Sequence, residues 1–163
     1  ELFFGEFMGN CYLVMFFPNV FSYELFELYL PGSSWNQGKE IKASTDMEDF
    51  YGRSNYASNT GGGYYASRLP VLWYLEREKK QASILVIRIE LPTYWAALGV
   101  WVCREATKKV LENKKLAFSE MKEMLESARK IGMIKFGYDP SKILKKSKVL
   151  ENIKTQTTLG KWF

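Results

Sequence analysis

Ser83-Ile84-Leu85-Val86-Ile87-Arg88-Ile89 is the run of residues that decides the fold. It is nearly all apolar and does not alternate polar with apolar side chains, which is the pattern of a strand buried on both faces. Upstream, Cys11-Tyr12-Leu13-Val14-Met15-Phe16-Phe17 repeats that pattern and stops at Pro18. Residues 22–30, between the two runs, allow two readings. Leu25, Leu28 and Tyr29 would stripe a helix, while the Tyr and Phe content suits a strand, and Pro31-Gly32-Ser33-Ser34 closes the segment as a turn. Residues 35–62 look irregular and polar, yet they carry Trp35, Phe50, Tyr51 and Tyr56. Such a loop either packs over the core or belongs to a site.

Helical patterns flank the deciding strand. After Gly61-Gly62-Gly63, the side chains of Tyr65, Leu69, Leu72 and Trp73 fall on one face, with Pro70 either kinking the helix or starting its regular part. Residues 103–113 form a short helix with Cys103, Ala106, Val110 and Leu111 inward and Glu105/Lys109 as an outer i,i+4 pair. Ser119 caps a further helix running to about Ile131, with Met121, Met124, Leu125 and Ala128 inward and Gly132 as its C-terminal stop. Buried-type strands alternating with amphipathic helices predict one compact α/β domain over residues 1–140, with a mixed α+β arrangement as the alternative. Residues 141–163 are expected to form a flexible basic tail.

The chain has 163 residues, 26 of them aromatic, enough for a sizeable core. It does not begin with Met and opens on an apolar run, so it is read as part of a longer protein. No apolar stretch approaches the roughly 20 residues a membrane span needs, so a soluble protein with no membrane partner is expected. Cys11 and Cys103 form no CxxC pair and there is no His, which argues against a zinc site or a His general base in this segment. Two isolated cysteines suit buried positions in an intracellular, reducing compartment. The net charge of +5 is carried by residues 141–163, which hold six Lys and one Glu, while residues 1–140 sum to zero.

The chain ends in Gln156-Thr157-Thr158-Leu159-Gly160-Lys161-Trp162-Phe163. A single 3₁₀ turn puts Leu159 and Trp162 on one face. Phe163 completes an apolar plug, and Gln156 offers an amide to the rim of a hydrophobic pocket. The peptide closely resembles the PCNA-interacting peptide of replication and repair proteins, a match expected at roughly one in ten thousand per register by composition. The resemblance implies docking on the PCNA sliding clamp through Gln156, Leu159, Trp162 and Phe163. It would bring Lys142, Lys145, Lys146 and Lys148 near DNA.

In the body, Gly61, Gly62 and Gly63 precede a helix and could let backbone N–H groups approach a phosphate, although a plain tight turn explains them as well. Arg53, Arg68, Arg88 and Arg104 are candidates for phosphate or nucleic-acid binding, with Tyr94 nearby in the pattern. Glu90 and Glu105 are the candidate acid/base or metal-ligating groups. The same constellation also reads as a structural ion-pair network, and no residue pattern decides whether the body is catalytic.

The ordered pieces Gly9-Asn10, Pro31-Gly32-Ser33-Ser34-Trp35-Asn36, Tyr51-Gly52-Arg53-Ser54-Asn55-Tyr56 and Gly61-Gly62-Gly63-Tyr64-Tyr65-Ala66 with Arg68 are followed by Gln81-Ala82-Ser83. They continue through Tyr94-Trp95 and Gly99-Val100-Trp101 to Arg104-Glu105. With the terminal peptide, they resemble the C-terminal domain of the archaeal Nre family of DNA-repair proteins. The resemblance implies a DNA-damage response at PCNA, with DNA as a further partner, in the cytoplasm at the archaeal nucleoid. It also implies an N-terminal part, absent here, with a cysteine-rich zinc-finger-like motif. The alternative is an enzyme acting on nucleic acid or nucleotides through an Arg/Glu site.

Overall fold

The computed structural model describes residues 1–94 and 98–159, without the side chains of 156–159. Among the described residues, five strands form one mixed sheet: β1 (Leu2–Phe7), β2 (Asn10–Phe17), β3 (Ser22–Tyr29), β4 (Lys42–Glu48) and β5 (Ser83–Glu90). Their order is β1-β2-β5-β3-β4, with β3 and β5 parallel and the other neighbours antiparallel. The helices are α1 (Gly62–Arg77), α2 (Val100–Glu112), α3 (Met121–Phe136), α4 (Ser141–Lys146) and α5 (Lys148–Leu159). The class is mixed α+β.

The apolar run 83–89 is the central strand, and every residue of β2 and β5 is buried. The reason is a layer of helices on each face. Tyr12, Val14, Phe16, Tyr23, Leu25, Ile84 and Val86 pack with Tyr64, Val71 and Tyr74 of α1 and Ala106 and Val110 of α2. The alternate residues Leu13, Met15, Phe26, Leu28, Leu85, Ile87 and Ile89 pack with Met124 and Ala128 of α3, Ile143 of α4 and Val149 and Leu150 of α5. Side chains alternate along a strand, so a strand covered on both faces keeps polar residues only where they meet buried partners, as Asn10, Arg88 and Glu90 do.

The β1–β2 hairpin turns on Met8-Gly9, both at positive φ (51° and 73°), as a two-residue hairpin with right-handed strand twist requires. A Cβ on Gly9 would stand 2.6 Å from the Tyr94 backbone nitrogen, so the turn also admits the chain leaving β5. Both sheet edges are covered. Leu2 and Leu116 exchange backbone hydrogen bonds of 2.9 Å outside β1. Beyond β4, Asn59 Nδ2 donates to the Thr45 carbonyl (3.0 Å) and Arg53 Nη1 to the Met47 carbonyl (2.7 Å).

Residues 22–30 resolve as strand β3, and the apolar start of the chain is strand β1. Strand β4 lies inside the stretch expected to be irregular. Its two buried positions are Asp46 and Glu48, so hydrophobicity gives no period-2 signal there. Helix α1 presents the opposite face to the one expected. Tyr65, Leu69 and Trp73 are exposed, while Tyr64, Ser67, Val71, Tyr74 and Leu75 are inward. Ser67 reverses the pattern because its hydroxyl meets Tyr12 Oη across 3.2 Å in the core. Pro70 lies within this helix.

Helix α3 runs past Gly132 and stops at Gly137, whose φ of 67° is the left-handed cap. Gly132 is instead a packing site, where a Cβ would lie 2.7 Å from the Tyr138 carbonyl oxygen. The Glu105/Lys109 pair does not form: Glu105 pairs with Arg104, and the Lys109 ammonium sits 3.8 Å from the centre of the Phe7 ring. The segment from Ser141, assigned to a tail by its lysines, begins as α4 and α5, which place Ile143, Val149 and Leu150 in the core.

Candidate functional site

The parallel pair β3/β5 ends at Tyr29 and Glu90, beside the first turn of α1, the place where α/β sheets build sites. Cross-strand register brings Glu27, Arg88, Asn10 and Glu90 to one face: Glu27 is opposite Arg88, and Asn10 is opposite Glu90. All four are buried. Arg88 Nη1 donates to Glu27 Oε1 (2.8 Å) and Nη2 to Glu90 Oε2 (3.1 Å). Nε and Nη2 both reach Asn10 Oδ1, at 2.9 and 2.6 Å. The Tyr29 hydroxyl donates to Glu27 Oε2 (2.8 Å), and the Trp35 backbone N–H donates to Glu90 Oε1 (3.2 Å).

Two carboxylates share one guanidinium in this hub. Burial pushes the Glu90 carboxyl above its ordinary range, against the pull of Arg88 and the Trp35 N–H. A Cβ on Gly63 would stand 2.5 Å from Glu27 Oε1, so the carboxylate of Glu27 lies against the first turn of α1. Gly61 precedes that turn at φ 58°, and Gly62 lies against Val100 at the start of α2. The three glycines thus admit a protein carboxylate and a neighbouring helix.

The segments around the hub are tied to it or to each other. Ser34 Oγ donates to the Tyr94 carbonyl (2.5 Å), and Asn36 Nδ2 donates to the carbonyls of Tyr29 and Glu40 (both 2.7 Å). Chemically, the hub holds the 30–36 loop and the chain after β5 in place, and its acceptors are occupied by protein donors.

A second polar cluster lies on the same face at β4. Asp46 accepts from Asn59 N (2.9 Å), Thr60 N (2.8 Å) and Thr60 Oγ1 (2.9 Å), and from Arg53 Nη2 at 3.4 Å. Glu48 pairs with Arg68 Nε. Beside these buried carboxylates, Tyr51, Tyr56 and Tyr65 are exposed around an open depression of about 700 Å³, with Arg53 and Arg68 in its wall.

The structure does not gather the four arginines. Arg88 is inside the hub, Arg53 and Arg68 flank the aromatic depression, and Arg104 pairs with Glu105 on α2 (3.1 Å). Glu90 and Glu105 belong to separate clusters. Among the described residues, no group of three or more Cys, Asp and Glu side chains could hold a metal ion. Burial pushes the Cys11 thiol up to about 12 and also raises Cys103, so neither is a ready thiolate. No described helix is long and apolar enough to cross a membrane. Of the terminal peptide, Gly160, Lys161, Trp162 and Phe163, with the side chains of Gln156 and Leu159, lie outside the described residues, as does Trp95.

Glu27 is absent from the site residues expected from the sequence, where Asn10 figures only in the Gly9-Asn10 pair, although a signal for Glu27 exists. Glu24 and Glu27 sit in an otherwise apolar strand at positions of opposite parity, so they face opposite layers and each needs its own buried partner.

The model of the C-terminal region of archaeal Nre matches residues 48–162. The chain is 42% identical over 127 residues to DNA repair protein NreA of Archaeoglobus fulgidus, covering 78% of this chain and 32% of that protein. It is 40% identical over 116 residues to DNA repair protein NreA of Haloferax volcanii, covering 70% and 28%. With DNA repair protein NreB of Archaeoglobus fulgidus it shares 35% over 116 residues, covering 71% and 29%. The chain spans about a third of the length of these curated relatives. No solved structure matches it.

Proposed function

The chain belongs to the archaeal Nre family, and from that premise we propose that it is a DNA-damage-response and repair factor recruited to the sliding clamp PCNA by its terminal peptide. Repair is the role printed in the names of the relatives. The observation that carries the recruitment is the spacing of Gln156, Leu159, Trp162 and Phe163 at the end of the chain. Such a factor works at the nucleoid, with DNA close by.

Magnitudes set the kind of contact. Burying three large apolar side chains contributes about 5–9 kcal/mol, ordering the segment takes back about 2–5, and hydrogen bonds add about 1–3. The balance, about 5–6 kcal/mol at its midpoint, corresponds to binding in the micromolar-to-millimolar range, a reversible tether. Calorimetry of the chain against PCNA, with and without residues 156–163, tests it. Binding in that range that disappears on deletion is expected; undiminished binding sinks the proposal.

A further inference from the structure

Three aromatic rings stand largely in water in the segment that follows β4. Tyr51 is 92% exposed, Tyr56 62% and Phe50 56%. Tyr56 stacks on Tyr65 with ring centres 5.1 Å apart and planes 30° apart, and Tyr65 is braced in turn by accepting the Ala57 N–H at 2.9 Å. Tyr56 is therefore held as a shelf, and at its exposure a large part of the ring stays open to a flat partner. The depression between the shelf and Tyr51 is of small-ligand size.

Charge distinguishes the kind of partner. The Asp46 and Glu48 side chains are each 5% exposed, whereas those of Arg53 and Arg68 are 21% and 28% exposed. The anions thus lie beneath the guanidinium groups: Arg53 donates to the Met47, Asn55 and Tyr56 carbonyls as well as to Asp46, whereas Arg68 is tied to Glu48 through Nε. Asp46 is satisfied mainly by Asn59 and Thr60 at 2.8–2.9 Å, and its contact with Arg53 is longer, at 3.4 Å. Flat rings beside the Arg68 guanidinium match a ligand of flat faces joined by phosphates.

We propose that this surface binds single-stranded DNA, with bases stacked on Tyr51 and Tyr56 and phosphates held by Arg68. A duplex hides its base faces, so the unpaired strand is the ligand. The choice of DNA rests on the repair role proposed above, while the site itself is independent of the clamp peptide.

The test uses the full chain with no clamp present and the fluorescence anisotropy of a labelled oligo(dT) of about twelve nucleotides, within the usual range of such sites. The single strand is expected to bind more tightly than a duplex of the same length. Tyr51→Ala/Tyr56→Ala should weaken binding by at least about 30-fold, the loss expected for two stacked bases. In Tyr51→Trp, a substitution at an exposed ring, the added indole should be quenched as DNA is titrated. Failure to bind single strands, equal affinity of the double variant, or an unquenched indole would each overturn the proposal. Binding that survives the double variant would place DNA on Lys142, Lys145, Lys146 and Lys148 instead. Calorimetry against PCNA without DNA is untouched by any of these results, so the two proposals fail separately.

Discussion

Ser147 Oγ donates to Glu24 Oε2 across 2.6 Å, joining residues 123 positions apart. The same carboxylate accepts the N–H groups of Lys148 and Val149 at 3.1 Å each, while Ser147 Oγ accepts the Leu150 N–H at 3.2 Å. The start of α5 is therefore capped twice, by its own serine and by a carboxylate from the sheet. Ser147→Ala should lower stability by about 1–2 kcal/mol, a fall in Tm of about 2–8 °C for a domain of this size, read by thermal melting.

Burial raises the Glu24 carboxyl above its ordinary value of 4.5, and the hydrogen bonds from Ser147, Val149 and Lys148 only partly oppose it. A raised folded-state value means the stabilising contribution is complete below about 4.5 and is lost as pH rises through the folded value. Stability of the parent protein minus that of Glu24→Gln should therefore fall as pH rises from about 4.5 towards neutrality. Urea midpoints of both proteins at several pH values check it, and a flat difference would remove the titration argument.

Removing the Arg88 guanidinium leaves Glu27 and Glu90 facing each other in the core with no cation. Arg88→Met should cost about 3–5 kcal/mol, the penalty for an uncompensated buried charge. Arg88→Lys should recover little of it, because one ammonium cannot serve Asn10, Glu27 and Glu90 from the fork the guanidinium provides. Chemical denaturation of the two variants measures both.

Helix propensity and packing disagree at Gly132. Alanine in a helix interior gains about 1 kcal/mol over glycine, yet its Cβ would meet the Tyr138 carbonyl oxygen at 2.7 Å and Pro140 Cδ at 2.8 Å. Backbone and a proline ring cannot swing aside, so packing wins. Gly132→Ala should destabilise by about 1–3 kcal/mol, a sign that thermal melting reads directly.

At the clamp, Trp162→Ala removes one large prong of the peptide. A loss of about 2 kcal/mol of burial corresponds to roughly 30-fold weaker binding. Calorimetry against PCNA measures this, and the stability of the body should not change.

The central strands could be read from their composition, because burial on both faces leaves Cys11–Phe17 and Ser83–Ile89 almost wholly apolar, with Arg88 the one charged residue. Strand β4 could not, since its inward residues are Asp46 and Glu48 and their partners Arg53 and Arg68 lie outside the strand. The outward stripe of α1 misled for a related reason: exposed Tyr65, Leu69 and Trp73 look like core, and buried Ser67 does not. Of the four arginines singled out, pairing decided the outcome. Only geometry distinguishes Arg88, closed inside the hub, from Arg53, which ties the loop after β4 to the sheet edge, and from Arg68, which stands beside exposed rings.

The double cap at Ser147 also sets a leash length. From Ser147 to Gln156 the chain covers nine residues, about 14 Å as helix and no more than about 32 Å if drawn straight. A clamp seated on the terminal peptide would therefore keep the body within a few nanometres. At that range, any group the body presents would act at an effective concentration near the millimolar level. A contact too weak to find DNA by diffusion would then be strong enough to use it.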